Sequence, residues 1–360
     1  MPCADAPAAG AAMQTYLEPQ LSGQQGRALW LAILGEVKGQ GLMTSALART
    51  LIELLLLLVL LGLFLGLSWF AHSLLGLCAG CFGLSMLLSR FAFIGHDAGH
   101  GAISRKPGIN RAVGQVSMTL VTGLAFDEWI TRHRSHHRFC QDEERDPDLA
   151  VGFVVSLTEE SRRQKGVIGE FMARYQFIHV WLLSLFFAHS QRHLSQAGVL
   201  RETRKFGLDA LVLVAHFALW FALPCGLLDV AFVDALLAYL IPLFILGPHL
   251  AAIFWVNHIG MPLVRDVEAF SFFEHQTLTS RSITNPPLWN WLFGGLNFQI
   301  EHHLFPTVPS ARLAAVQEIV RRHFALNAIA YHGVPWWSAL KSVATQLRSV
   351  ARAGRLQVTQ

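Results

Sequence analysis

Long apolar runs alternate with histidine-rich polar stretches along this chain. About 20 apolar residues carry a helix across the hydrocarbon core of a bilayer. Leu51 to Phe70 meets that length with Glu53 as its one charge, and Leu74 to Ile94 follows at once, with Arg90 near its far end. The connection Ala71-His72-Ser73 is short enough to make the pair a tight helical hairpin. A second hairpin is predicted over Ala210 to Leu228 and Ala235 to Val256, with Pro224, Gly226, Asp229 and Asp234 around its turn. Phe177 to Ala188, flanked by Arg174 and Arg192, has 12 residues. That is too few to span, so an interfacial or buried helix is expected. The pattern predicts an all-α integral membrane fold: four transmembrane helices in two hairpins, with a cytoplasmic helical cap.

The side of the membrane follows from Lys and Arg. Neither hairpin turn contains either residue, whereas residues 94 to 205 hold fifteen and the tail after residue 256 holds nine. The first 49 residues add Arg27, Lys38 and Arg49. Both termini and the long connection are therefore expected in the cytoplasm, in a bacterial inner membrane or, for a eukaryote, the endoplasmic reticulum. The expected segments are 1–49, a cytoplasmic and partly disordered amino-terminal stretch; 50–94, the first hairpin; 95–205, cap; 206–256, the second hairpin; and 257–360, cap again. The first 26 residues are rich in Ala, Gly, Gln and Pro and are expected to be mobile. No cleavable signal is expected, because the first apolar run starts near residue 50 and is too long.

Composition narrows the classes. The 360 residues are 53% hydrophobic and 14% charged, with a mean hydropathy of +0.41. Such a thin polar coat argues against a cytosolic enzyme, and such apolar content against a disordered chain. Five cysteines, Cys3, Cys78, Cys81, Cys140 and Cys225, are scattered and odd in number, which is not a disulfide framework. Cys78-Ala79-Gly80-Cys81 has redox spacing but lies mid-membrane, where small residues suit close helix packing. A net charge of +4 without a dense basic tract gives no reason to expect a nucleic-acid partner. What composition leaves unexplained is 17 histidines.

Three clusters hold seven of them: His96 and His100 just past the second span, His133-Arg134-Ser135-His136-His137 in the long connection, and Gln299-Ile300-Glu301-His302-His303 in the tail. Spacings of three and four place the rings on one helix face. One such pair arises by chance in a histidine-rich chain, but three clusters on one predicted side do not. Seven neutral imidazoles suit iron, copper, nickel or zinc, and exceed what one ion needs, so two ions are expected. No Glu-x-x-His and no His-Glu-x-x-His occurs, which sets aside the carboxylate di-iron and zinc protease helices. An all-nitrogen di-metal site at a membrane face suits oxidation of an unactivated C–H bond.

These boxes, their order and the hairpins resemble the membrane fatty acid desaturase superfamily, from about Arg90 to Leu326. The stretch Trp291-Leu292-Phe293-Gly294-Gly295-Leu296-Asn297-Phe298-Gln299-Ile300-Glu301-His302-His303-Leu304-Phe305-Pro306 is similar to the acyl-lipid, front-end branch, which has Gln where most relatives have His. The resemblance implies two iron ions and O2 as co-substrate, with two hydrogens removed from a fatty acyl chain. It also implies a separate electron donor and a further histidine ligand near the end of the fourth span, matched by His258. The implied ligands are His96, His100, His133, His136, His137, His258, His302 and His303. Gln299 matches the variant box as a poorer ligand, acting through a water. Asp97, Asn257, Gln299 and Glu301 are the candidates for orienting the imidazoles. No His-Pro-Gly-Gly of a fused cytochrome b5 domain occurs, so the donor is expected to be a ferredoxin or a free cytochrome b5. Related hydroxylases, ketolases and acetylenases share such boxes, and oxygenation of a lipid chain is the alternative outcome. A histidine-rich metal transporter would place ligands near the bilayer midplane on opposed spans rather than on one side.

Nine histidines remain outside this set. His72, His179, His323 and His332 are expected at surfaces or interfaces, and His216 and His249 within spans, packed or, for His249, beside a substrate tunnel. His189 with His193, and His275, are weaker metal candidates. Arg90 is expected to snorkel to the interface, with a lipid headgroup or acyl-carrier phosphate as the alternative partner. The acidic run Asp142 to Asp148 reads equally as a solvated loop, as carboxylates behind the metal ligands or as a donor-docking patch. Trp129, Trp255, Phe270, Phe272, Phe273 and Trp291 are core residues or the wall of an acyl channel.

Overall fold

The computed structural model describes residues 16–71, 73–150, 155–284 and 286–353. Cys3, His72 and most of the Ala-rich amino-terminal stretch lie outside the described residues.

Among the described residues, four helices are long and apolar enough to cross a membrane: Leu47–Phe70, Leu74–Gly99, Gly207–Leu227 and Phe232–His258. They form two hairpins, as the apolar pattern predicts. Ser73 starts the second helix by accepting the Gly76 N–H at 3.1 Å. The first two helices pack closely because glycines face side chains: a Cβ on Gly80 would stand 2.4 Å from Ser68 Oγ, and one on Gly83 2.3 Å from the Phe64 ring. This close approach gives the small residues around Cys81 their packing role. The first helix leaves Ile52, Leu55 and Val59 exposed, while the second is mostly buried and central. Arg90 does not simply snorkel: its guanidinium pairs with Glu53 at 2.5 Å and donates to the Trp291 carbonyl at 2.9 Å. The lone charges of the two spans thus neutralise each other.

Both inner helix ends run past the apolar windows, to Gly99 rather than Ile94 and to His258 rather than Val256. These extra turns keep His96 and His258 on rigid helix. Between the hairpins, Pro107–Gly114 continues into a π-helical stretch, Gln115–Thr122, stopped by Gly123 at φ 74°. The helix Phe126–Phe139 follows, with the second histidine cluster.

The expected short helix over Phe177 to Ala188 is a longer, broken element. Gly166–Arg174 meets Gln176–Arg201 at a bend of 88°, and a 3-10 turn, Ser184–Phe186, interrupts the latter. That turn lies against Gly247 of the fourth span, where a Cβ would be 2.3 Å from the Ser184 carbonyl oxygen. Val167, Ile168, Phe171, Ile178 and Leu182 stay exposed along this element, an apolar face of the kind that lies in a membrane surface.

The remaining helices cover the inner ends of the spans. Gln299–Leu304 carries the third cluster and packs against Leu313–Leu326, while Trp336–Ala353 packs against the fourth span and the helix Gln176–Leu183. Ser282–Thr284 pairs in parallel with Gly333–Pro335 in the two-stranded sheet. The reading of the first 26 residues as unstructured stops short at its end: a helix, Gly23–Gly39, starts there with a capping box between Ser22 and Gln25. It is held by Ile33 and Val37, fully buried against Phe305 and Val316.

Candidate metal centre

Four helix ends bring the eight histidines together. His96 is in the last turn of Leu74–Gly99 and His100 caps it, His133, His136 and His137 share one face of Phe126–Phe139, His258 ends its span, and His302 and His303 lie on the buried helix Gln299–Leu304.

The rings form two adjoining groups. His96, His100, His133 and His302 each offer a nitrogen within 4.8 Å of the others. A second group, within the same limit, is His136, His258, His303 and Cys140. His137 stands between them: its Nε2 is 3.2 Å from His133 Nε2 and 3.1 Å from His302 Nε2, while its ring stacks on His303 at 4.2 Å. His133 Nε2 is also 3.2 Å from His96 Nε2. Two nitrogens held about 2.1 Å from one ion at right angles would be about 3.0 Å apart, so these spacings match adjacent ligands of one metal.

Electrostatics agree with that use. Burial, aided by the neighbouring rings, holds His133, His137, His302 and His303 well below the ordinary imidazole pKa. They are neutral at physiological pH, with lone pairs available. His136 differs: burial opposes its charge, but the Asp146 and Asp148 carboxylates outweigh burial and raise it to about 9. Its Nδ1 lies 2.9 Å from Asp146 Oδ1, which fixes that nitrogen as the donor and turns Nε2 toward the group. His303 Nδ1 likewise donates to Gln276 Oε1 at 2.7 Å, and His258 Nδ1 to the Thr279 carbonyl at 3.1 Å.

The donor set fits a transition metal. His303 Nε2 and His100 Nε2 are buried without a hydrogen-bond partner among the described residues. A buried lone pair left unmatched is costly, and a cation bound there removes the cost. Nitrogen donors backed by carboxylate and carbonyl acceptors are the ligand chemistry of iron, copper, nickel or zinc rather than calcium or magnesium.

Other predicted residues divide. Asp97 Oδ1 lies 3.7 Å from His96 Nδ1, and its Oδ2 accepts both the N–H and the hydroxyl of Ser310. Gln299 Nε2 is 2.9 Å from His258 Nε2, and Asn257 Nδ2 donates to Gln299 Oε1 at 3.0 Å. Glu301 turns away from the rings, its carboxylate accepting the hydroxyls of Ser282 and Tyr331, both at 2.7 Å. His275 supports from behind, with Nε2 donating to the Cys140 carbonyl at 2.8 Å. His189 and His193 lie elsewhere, against Phe244 and each other. His216 is packed as expected, between Tyr239 and the Leu120 carbonyl. Of the aromatic candidates, Trp129 meets the centre, stacked on His133 at 4.5 Å.

Sequence reasoning missed Cys140 and Gln276, and offered Asp146 only as one of several carboxylates in the acidic run, without singling out its bond to His136. Cys140 is four residues after His136, a spacing that places it on the same face, although its helix has just ended. Asp146 lies buried in the acidic run while Glu144 stays exposed. Gln276 carries no local signal.

Residues 68–338 match the fatty acid desaturase family, and the chain belongs to that family. It is 28% identical over 79% of its length to the fatty acid desaturase 2-like protein FADS2B of Mus musculus. It is 26% identical over 76% of its length to a delta(8)-fatty-acid desaturase of Borago officinalis. A relative in Synechocystis, an sn-1 linoleoyl-lipid 6-desaturase, is 26% identical over 77% of this chain and 80% of its own. The chain spans 58% of the mouse relative's length and 64% of the borage relative's.

Proposed function

We propose that this protein is an O2-dependent desaturase of fatty acyl chains, with two iron ions held by the two ring groups. The observation that carries the proposal is the convergence of eight imidazoles from four helix ends into two adjoining groups beside apolar spans. His96, His100, His133 and His302 would hold one ion, and His136, His258 and His303 the other, with His137 between them and Gln299 beside His258. Iron at these nitrogens, supplied with O2 and two electrons, has the oxidising power to remove two hydrogens from neighbouring methylenes.

The chain's own residues do the positioning. Asp146, Gln276 and the Thr279 carbonyl hold protons on the Nδ1 atoms of His136, His303 and His258, leaving the Nε2 lone pairs facing inward. His96, His136, His302 and His303 are buried from water, and Trp129 covers one side of His133 by stacking on it. A site on rigid helix ends can fix which methylenes of a bound chain react. The acyl chain arrives as a lipid, a CoA ester or an acyl carrier, and electrons from a ferredoxin or cytochrome b5 type of protein. The Lys and Arg distribution supports a cytoplasmic cap and cytoplasmic termini.

Lipid analysis of cells expressing the chain, against cells expressing His136→Ala, tests this reading. New unsaturated acyl species are expected with the unaltered chain alone. Oxygenated products would point to a hydroxylase, and identical profiles across a broad panel of acyl substrates would end the proposal.

A further inference from the structure

A cavity of about 230 Å³ opens beside the first hairpin, where it meets the segment leading into the third histidine cluster. Arg49, Glu53, Arg90, Asp97, Asn290 and Ser310 supply its polar lining. Three of its four charges are matched: Arg90 with Glu53, and Asp97 with the Ser310 N–H and hydroxyl. Arg49 forms no hydrogen bond or ion pair among the described residues.

The cavity's surroundings set its depth. Ile52 and Leu55, about one and two turns beyond Arg49 on the same helix, are exposed apolar residues, as are Leu288 and the lining residue Trp291 on the helix Pro287–Leu292 opposite. An apolar rim on both sides places the polar lining at the boundary between hydrocarbon and headgroups, where Trp and Arg anchor membrane proteins. The walls are shaped for space. Gly294 and Gly295 line the cavity at φ 60° and 78°, and a Cβ on either would stand 2.3 Å from the Phe93 ring or 2.7 Å from the Ser310 carbonyl oxygen. On its inner side the cavity ends at Asp97, next to His96.

We propose that this cavity seats a phosphate group carried by an acyl compound, with the unmatched Arg49 guanidinium as its counter-charge and the Arg90–Glu53 pair as its fixed wall. Guanidinium binds phosphate oxygens through paired N–H donors. The phosphate comes from a phospholipid headgroup or from the phosphopantetheine-bearing carrier of a thioester. The site stands on its own lining; that its occupant is also the chain oxidised at the metal centre rests on the desaturase reading.

The test uses the purified full chain in detergent, titrated calorimetrically with dihexanoylphosphatidylcholine and, separately, with coenzyme A. Saturable binding of one probe is expected, weakened about tenfold or more by Arg49→Glu, which removes a charge-assisted contact at an exposed position. Ala314→Trp, which fills the cavity without changing charge, is expected to weaken the same probe. The probe that binds identifies the phosphate source. Binding of neither, or equal binding by the unaltered protein and both variants, overturns the site. The lipid profiles with His136→Ala are read alongside. Weakened binding in Arg49→Glu without any acyl oxidation by the unaltered chain would leave the site standing and end the desaturase reading; acyl oxidation with unaltered binding would do the reverse.

Discussion

The carboxylate of Asp209, near the start of the third span, accepts the backbone N–H of Glu128 at 3.0 Å, in the first turn of the helix that carries His133, His136 and His137. Its other oxygen accepts the Asp127 N–H at 3.2 Å and the Gln115 amide at 2.6 Å. That helix has no side-chain cap of its own, so a membrane helix caps it from a distance of 81 residues in sequence. Asp209→Ala leaves these N–H groups unpaired in a buried place and is expected to cost about 2–3 kcal/mol. The melting temperature in detergent and the metal bound per chain should both fall, with Asp209→Asn between the two. Unchanged values for the alanine variant would show that the helix is held by other contacts.

Asp146 acts one step closer to the rings. Its carboxylate fixes the donor nitrogen of His136 and also accepts the Gln141 and Asp148 N–H groups. Asp146→Asn keeps much of the shape but removes the charge that favours a well-oriented, electron-rich imidazole. Carboxylate partners of this kind are worth about 10- to 100-fold in metal affinity. Competition with a chelator of known affinity should show a loss of that size at the second ring group, without a comparable loss for Asp142→Asn.

Protons and metal compete for the same nitrogens. For the metal-free protein, the depressed values of His133, His137, His302 and His303 mean that the unfolded chain binds more protons as pH falls below about 6.5. Stability therefore drops on acidification in that window. His136 has the opposite sign: its raised value, about 9, stabilises the folded state fully below pH about 6.5 and loses that effect as pH rises through 9. Four rings outweigh one, so the melting temperature of metal-free protein is expected to fall between pH 7.5 and pH 5.5. The four-ring variant His133→Ala, His137→Ala, His302→Ala and His303→Ala should flatten that fall. A profile flat in the unaltered protein would contradict buried neutral rings.

The hairpins and seven of the eight histidines were legible from local signals: unbroken apolar length for Leu51 to Phe70, ring spacing of three and four for His133 to His137, whereas His258 came only through the family resemblance. The helix ends at Gly99 and His258 were not, since an apolar window stops where polar ligands begin, although the helices continue to carry them. Gln276 reaches His303, and Asp209 reaches Glu128, across folds of the chain that no local pattern encodes. The acidic run shows the limit most clearly. Asp142, Glu143, Glu144, Asp146 and Asp148 are alike in chemistry, yet the turn after Cys140 buries Asp146 against His136 and leaves Glu144 in the open. The break at Ser184–Phe186 likewise depends on Gly247, more than sixty residues later, yielding room for two carbonyls.

The Arg90–Glu53 pair is partly exposed, with side chains 11% and 25% accessible, so its worth lies between that of a surface and a buried ion pair. Arg90→Leu or Glu53→Leu alone leaves one charge at the edge of the hydrocarbon and is expected to cost about 1–3 kcal/mol. The double replacement removes both charges and should cost less than the sum of the single ones, the coupling being read from melting temperatures in a double-mutant cycle. Additive losses would mean that each side chain acts through its other contacts, Arg90 through the Trp291 carbonyl and ring.

His137 is the residue whose loss should separate a shared centre from two independent ones. Its Nε2 approaches His133 and His302 of the first group, and its ring lies against His303 of the second. His258, in contrast, meets only second-group rings, with centroids 4.8 Å from His136 and 4.9 Å from His303. Removing one ligand from a single ion should release that ion and leave the other. His258→Ala is therefore expected to lower bound metal from about two per chain to about one, whereas His137→Ala should take it well below one, because both groups lose a wall. Elemental analysis of the two purified variants, with melting temperatures to show that both remain folded, makes the comparison. Equal metal content in the two would assign His137 to one group alone and leave His303 to face the other ion without it.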